Sequence, residues 1–149
     1  MKKIILLLLA LILAACSTGT KSEFDTSLEK WQDAGINHYS FELRVICFCP
    51  GTDKMPLTVE VQDGEVVSMT YVDGTPVAPE DPQYEFYSRF ATIDRLFSEL
   101  KADLDGAADE VAVTYDPTYG LPVDVNIDMI KEAIDDELAL QVTNFQELQ

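Results

Sequence analysis

The chain has 149 residues, and its 27 acidic side chains against 10 basic ones give a formal net charge of −17. Such an excess of negative charge repels nucleic acid and anionic lipid surfaces, so neither is expected as a partner; a cationic ligand fits the charge, and so does a plain solubilising role. The length predicts one domain once any targeting segment is set aside.

Lys2 and Lys3 open the chain, an apolar run follows from Ile4 to Ala15, and Cys16 comes directly after it. A charged start, a short apolar stretch and small residues before a cleavage point form the layout of a secretory signal. The run is short for a membrane span. Ala14-Ala15-Cys16 resembles the lipobox of bacterial lipoproteins. That resemblance implies that residues 1–15 are a lipoprotein signal peptide, that Cys16 becomes the lipidated N-terminus, and that this anchor makes the membrane a partner. Ser17 resembles the sorting signal of outer-membrane cargo, which would place the protein in the cell envelope facing the periplasm. Loss of the two lysines leaves 27 acids against 8 bases, a net charge of −19. Residues 16–23 read as a flexible polar tether, and residues 24–149 as a single α+β domain.

The domain opens with "TSLEKWQDAGI", a helix pattern. Thr26 and Glu29 have the spacing of a capping box, Leu28 and Trp31 share a face, and Gly35 is placed to end the helix. "HYSFELRVICF" then alternates: Tyr39, Phe41, Leu43 and Val45 point one way and Ser40, Glu42 and Arg44 the other, as in a half-buried strand. Two further alternating runs meet at Asp63-Gly64, a hairpin signal. "TPVAPEDPQ" reads as a loop. In "FATIDRLFSELKADL" the apolar residues Phe90, Ile93, Phe97, Leu100 and Leu104 fall at helical spacing, with Thr92 as a cap. "EVAVTYD" and "LPVDVNID" read as strands around the turn "DPTYG". "MIKEAIDDELALQVTNF" fits helix throughout, or a short helical turn near residues 130–134 followed by a strand near 138–145, which is the preferred reading. One helix and three strands thus occur twice. The expected fold is α+β, two helix-plus-three-strand units (αβββ-αβββ), antiparallel sheet with helices packed on one face. The units could pair edge to edge or pack sheet on sheet.

Cys47 and Cys49 are the cysteines left after Cys16. An exported chain meets an oxidising compartment, which favours a disulfide. Two strand rises are ~6.6 Å, at the upper end of the ~4.4–6.8 Å Cα range of disulfides. Closing so small a loop contributes only about 1.6 kcal/mol on the chain-entropy model. Two other readings stand beside it: a soft-metal site for Cu(I) or Zn, and a redox-active pair. A closed zinc site needs about four ligands. His38 is ~30 Å along an extended strand, and Met55 and Met69 are the other soft candidates. No metal or other cofactor is assigned.

The ordered set Trp31…Tyr39-Ser40-Phe41, Cys47-Phe48-Cys49, Val59…Asp63-Gly64, Thr92-Ile93-Asp94…Phe97, Val113…Tyr115-Asp116…Tyr119-Gly120-Leu121-Pro122 and Asp136-Glu137…Phe145 resembles a family of small bacterial lipoproteins defined as a domain of unknown function. The Cys-x-Cys pair and the Tyr-Asp…Gly-x-Pro turn recur in that family, and Leu121 stands where an aromatic is common. The resemblance implies export and a helix-plus-sheet domain, and it implies no activity.

Signs of catalysis are weak. His38 has no Ser or Asp partner at a telling spacing, and the chain lacks a Gly-rich phosphate loop. Residues 101–112 match a calcium loop at Asp103, Asp105, Gly106 and Asp109, but Lys101 and Ala112 occupy the first and last ligand positions. Asp135 and Asp136 read as a solvated face. Tyr115, Asp116 and Tyr119 form either a structural turn or a binding edge. The expectation is a non-enzymatic envelope module that binds an envelope protein or a cationic ligand. The alternative is metal or thiol-redox chemistry through Cys47 and Cys49.

Overall fold

The computed structural model describes residues 22–149. The expected signal peptide, Cys16 and the tether up to residue 21 lie outside the described residues. Helix α1 spans Glu23–Ala34. Its capping box uses Ser22 and Asp25, whereas the sequence pattern pointed to Thr26 and Glu29; the Ser22 hydroxyl accepts the Asp25 N–H at 3.1 Å. Ser22 gains its advantage from position, because a cap one turn earlier adds Phe24 to the apolar face, where it meets Phe97 edge-on at 5.6 Å. Gly35 ends the helix.

Six strands follow: β1 (His38–Ile46), β2 (Leu57–Gln62), β3 (Glu65–Thr70), β4 (Glu110–Tyr115), β5 (Pro122–Asp128) and β6 (Leu138–Glu147). Between β3 and β4 lie α2 (Tyr84–Ser88) and α3 (Ile93–Ala102), which runs on into a π-helical turn at Asp103–Ala107. Helix α2 was not anticipated from the sequence. Thr92 caps α3 by accepting the Arg95 N–H at 3.1 Å.

The expectation of two helix-plus-three-strand units is not met. The strands form one six-stranded antiparallel sheet in the order β3-β2-β1-β6-β5-β4, with three α-helices. The seam is β1 against β6, in which Leu43 pairs with Val142, Val45 with Leu140 and Ile46 with Ala139. Separate units would leave β1 and β6 as edges with unpaired backbone groups. Pairing them satisfies those groups and merges two small apolar faces into one core.

That core lies on one side of the sheet. Tyr39, Phe41, Leu43 and Val45 of β1 are buried, as are Leu57, Val59 and Val61 of β2 and Leu140 and Val142 of β6. Trp31 of α1, Tyr87 of α2 and Ile93, Leu96, Phe97 and Leu100 of α3 pack against them. Truncating one of the aliphatic members to Ala removes about 2–5 kcal/mol. The opposite face carries Glu42, Arg44, Glu60, Asp124 and Gln141. A bulge in β6 shifts the β1 register between Ser40 and Glu42, at Asn144 with φ 51°. It re-aims Phe145 from the polar face to the core, where the ring meets Trp31 at 5.9 Å and Tyr39 at 5.5 Å. Among the described residues no helix is long and apolar enough to cross a membrane.

Candidate functional site

The β1–β6 seam decides what stands at one end of the sheet. Because Ile46 pairs with Ala139, the segment that leaves β1 at Cys47 lies beside the segment that enters β6 at Leu138. Between them is a cleft of about 270 Å³. One wall is Cys47, Phe48 and Cys49. Phe86, Arg89 and Phe90 come from α2 and its C-terminal side, and Glu99 and Asp103 from α3 and the turn after it. Met129 and residues 135–138 close the far side.

Cys47 and Cys49 are joined as a disulfide, with Cα atoms 5.2 Å apart. The backbone leaves β1 at this point, so the sulfurs meet without the full extended separation. As a disulfide the pair offers no thiolate to a metal. Phe48, at the apex, is 85% exposed. The loop is strapped down from behind: the Tyr87 hydroxyl donates to the Pro50 carbonyl at 3.4 Å.

Charge in the cleft is one-sided. Five carboxylates, from Glu99, Asp103, Asp135, Asp136 and Glu137, line it with one base, Arg89. Arg89 is already committed. Its Nε lies 3.2 Å from Glu99 Oε2, and its guanidinium carbon stands 5.3 Å from the centre of the Phe90 ring. Burial, and then the Glu99 charge, push the Asp103 carboxyl above its ordinary range, with Arg89 pulling the other way. Just outside the cleft, Asp128 is also raised, first by desolvation and then by Asp136, Glu137, Glu110 and Asp109. The nearest lysine on the loop, Lys131, turns to β4, where its Nζ stands 3.8 Å from Glu110.

Asp136 is the unusual member. Both of its carboxylate oxygens are shielded from solvent and receive no hydrogen bond. A buried acceptor left without a donor costs about 1–3 kcal/mol, and a charged one more. The residue before it, Asp135, has φ 69°. Sequence reasoning placed this pair on a solvated face. Asp135 is exposed, as expected, and borders the cleft; Asp136 is instead drawn partly inside, where the 129–137 segment lies across from Glu99 and Asp103. Nothing in an Asp-Asp dipeptide signals this. A signal for the aromatic wall did exist in the density of rings in "YEFYSRF".

The other sequence-derived candidates lie elsewhere. Tyr115 is half-buried with its ring stacked on Phe97 at 6.2 Å. Burial pushes its hydroxyl up to about 12, with Glu23 adding to the effect. Asp116 accepts the N–H groups of Thr118 and Tyr119 at 2.9 and 2.6 Å. Tyr119 packs on Phe145. At Gly120, φ 78°, a Cβ would collide with the carbonyl of Ser27, and Lys30 donates to the Pro117 carbonyl at 2.8 Å. Gly120 and Lys30 thus hold the turn against α1. His38 stands at the other end of β1 from the cysteines and shares a contact of 2.9 Å with Glu60. Met55 and Met69 are buried in the core. Among the described residues no group of three or more His, Cys, Asp or Glu side chains is placed to hold a metal ion.

Fold and cleft together define a small α+β domain with helices on one face of a single antiparallel sheet and a disulfide loop at the mouth of an acidic, aromatic cleft. The chain belongs to the Family of unknown function (DUF6174), which matches residues 23–147. No curated protein and no solved structure matches it.

Proposed function

We propose that the protein is a non-enzymatic binding module of the bacterial cell envelope, lipid-anchored through Cys16, facing the periplasm from the outer membrane, and that its partner docks at the cleft beside Cys47 and Cys49. The charged start, the apolar run and Ala14-Ala15-Cys16 support the anchor. The distribution of exposed apolar side chains carries the docking site. Eight large apolar residues are exposed among the described residues; two of them, Phe48 and Met129, line the cleft, and two more, Ile130 and Ile134, fall in the segment that Met129 opens. Surface apolar groups scattered singly carry no message, whereas a cluster around a concavity marks a contact surface. The cleft offers a disulfide and a paired arginine, with no nucleophile and base in contact, which fits binding better than catalysis.

The test has two arms in one bacterial host. Metabolic labelling with an alkyne fatty acid is expected to mark the full-length product in the membrane fraction, and Cys16→Ala to abolish the label. A photo-crosslinking amino acid at position 48 is expected to give discrete adducts in intact envelopes, while the same group at exposed Val67 on β3 gives none. An unlabelled cytosolic product would overturn the anchor. Equal adduct patterns from both positions would overturn the docking site.

A further inference from the structure

Resting on that reading, we infer that the cleft receives an arginine side chain presented by a basic segment of a protein partner. Three features select this chemistry. The first is charge. Five carboxylates face one base, and that base already contacts Glu99, so the cleft keeps a net negative field at close range. The second is the pair of Asp136 oxygens, which lack donors within the protein. A guanidinium carries N–H groups in a fixed planar fork and delivers two parallel bonds to one carboxylate; an ammonium is a point charge without that match. The third is the aromatic wall of Phe48 and Phe86, whose ring faces attract cations, while Phe90 is buried with Arg89 over its ring.

The protein already shows this chemistry in miniature. Arg89 contacts Glu99 while its guanidinium stands over Phe90. Solvent does not reach the Asp136 oxygens, so entry of a second guanidinium requires a side-chain shift at the mouth, an ordinary adjustment on binding.

Size and surroundings favour a peptide over a small free cation. At about 270 Å³ the cleft lies below the roughly 300–1,000 Å³ of drug-sized ligand sites, which suits one side chain. The apolar surface of Ile130 and Ile134 lies on the bordering segment. A polyamine would leave it wet, while a peptide carrying the arginine would cover it. Arginine is also enriched at the energetic centres of protein interfaces.

The probe is a blocked glycine-arginine-glycine peptide titrated into the full chain in detergent, read by NMR shifts of the cleft residues. Saturable shifts are expected at Phe48, Phe86 and Met129. The citrulline peptide, equal in shape but neutral, is expected to bind at least tenfold more weakly. Asp136→Asn is expected to weaken arginine-peptide binding at least tenfold, and Asp33→Asn in α1, beside the opposite end of β1, to leave it unchanged. Phe48→Ala removes a ring that the free fold does not bury, and is expected to weaken binding several-fold; it decides the matter should Asp136→Asn fail to fold. Absence of binding, equal binding of the citrulline peptide, or unchanged binding by the cleft variants would overturn the inference. Spermidine binding as tightly as the peptide at matched ionic strength would overturn the protein source. Adducts from position 48 in the envelope, together with no arginine binding, would sink this inference alone and leave the binding-module reading in place.

Discussion

A Cβ placed on Gly51 would lie 2.7 Å from the hydroxyl of Tyr87. This approach locks the loop that follows the cysteines to a fully buried tyrosine of α2, and so sets the cleft wall against the rest of the core. Gly51 also has φ 88°, which L side chains rarely adopt. Gly51→Ala is therefore expected to destabilise the protein by about 1–3 kcal/mol. The check is the midpoint of urea unfolding, with an unchanged slope showing that the unfolded state is unaffected.

The turn at Gly120 is predicted to be more sensitive. There the obstacle is the Ser27 backbone, which cannot rotate away as a side chain can. Gly120→Ala is expected to cost about 2–4 kcal/mol and to loosen α1. Hydrogen exchange would show the loss first in the α1 amides, ahead of those in β1 and β2.

Neutralising Asp136 should stabilise the fold while it removes binding. Asp136→Asn relieves a shielded carboxylate that has no donor, and is expected to raise stability by about 1 kcal/mol at neutral pH. Urea unfolding of the variant beside the parent measures this directly. A loss of stability would mean that the carboxylate is supported within the folded chain.

Alkaline pH should destabilise the protein through Tyr39. Its hydroxyl is pushed up to about 12, chiefly by burial; Asp94 adds to this, while the Ile93 N–H it accepts and Arg95 oppose it. In the unfolded chain a tyrosine titrates near 10. Between those values the unfolded state gives up a proton that the folded state keeps, so unfolding gains as pH rises. The contribution is fully present below about pH 10 and is lost by about pH 12, a change of at most about 2–3 kcal/mol. Tyr39→Phe, measured at a series of pH values, should show a shallower alkaline decline than the parent.

Removing both cysteines should leave the fold intact. The Cys47–Cys49 bond closes a loop of minimal length, worth about 1.6 kcal/mol on the chain-entropy model. Cys47→Ser/Cys49→Ser should keep the sheet, as seen by circular dichroism, and lower stability by no more than about 2 kcal/mol. A collapse of the sheet would show that the disulfide nucleates the β1–β6 seam.

Local features were legible in the sequence where the pattern was local. The alternation of Tyr39, Phe41, Leu43 and Val45 marks β1, Asp63-Gly64 marks the β2–β3 turn, and Thr92 caps α3, because each signal depends on near neighbours. The sheet was not legible as a whole. Its seam joins residues about a hundred positions apart, and alternation states which face is buried without naming the neighbouring strand. Helix α2 is a single short turn held by the burial of Tyr87, so no periodicity announces it. The cleft was half legible. Cys47 and Cys49 stood out as a pair, whereas Asp136 becomes distinctive only when the fold removes water from its carboxylate.

The most direct test of the account is photo-crosslinking from position 48 in intact envelopes, run in parallel with the parent sequence and with Asp136→Asn. If Asp136 holds the partner, a discrete protein adduct forms and falls at least several-fold when the carboxylate is neutralised. An adduct of equal yield in both would contradict the claim that Asp136 and the cleft around it hold the partner.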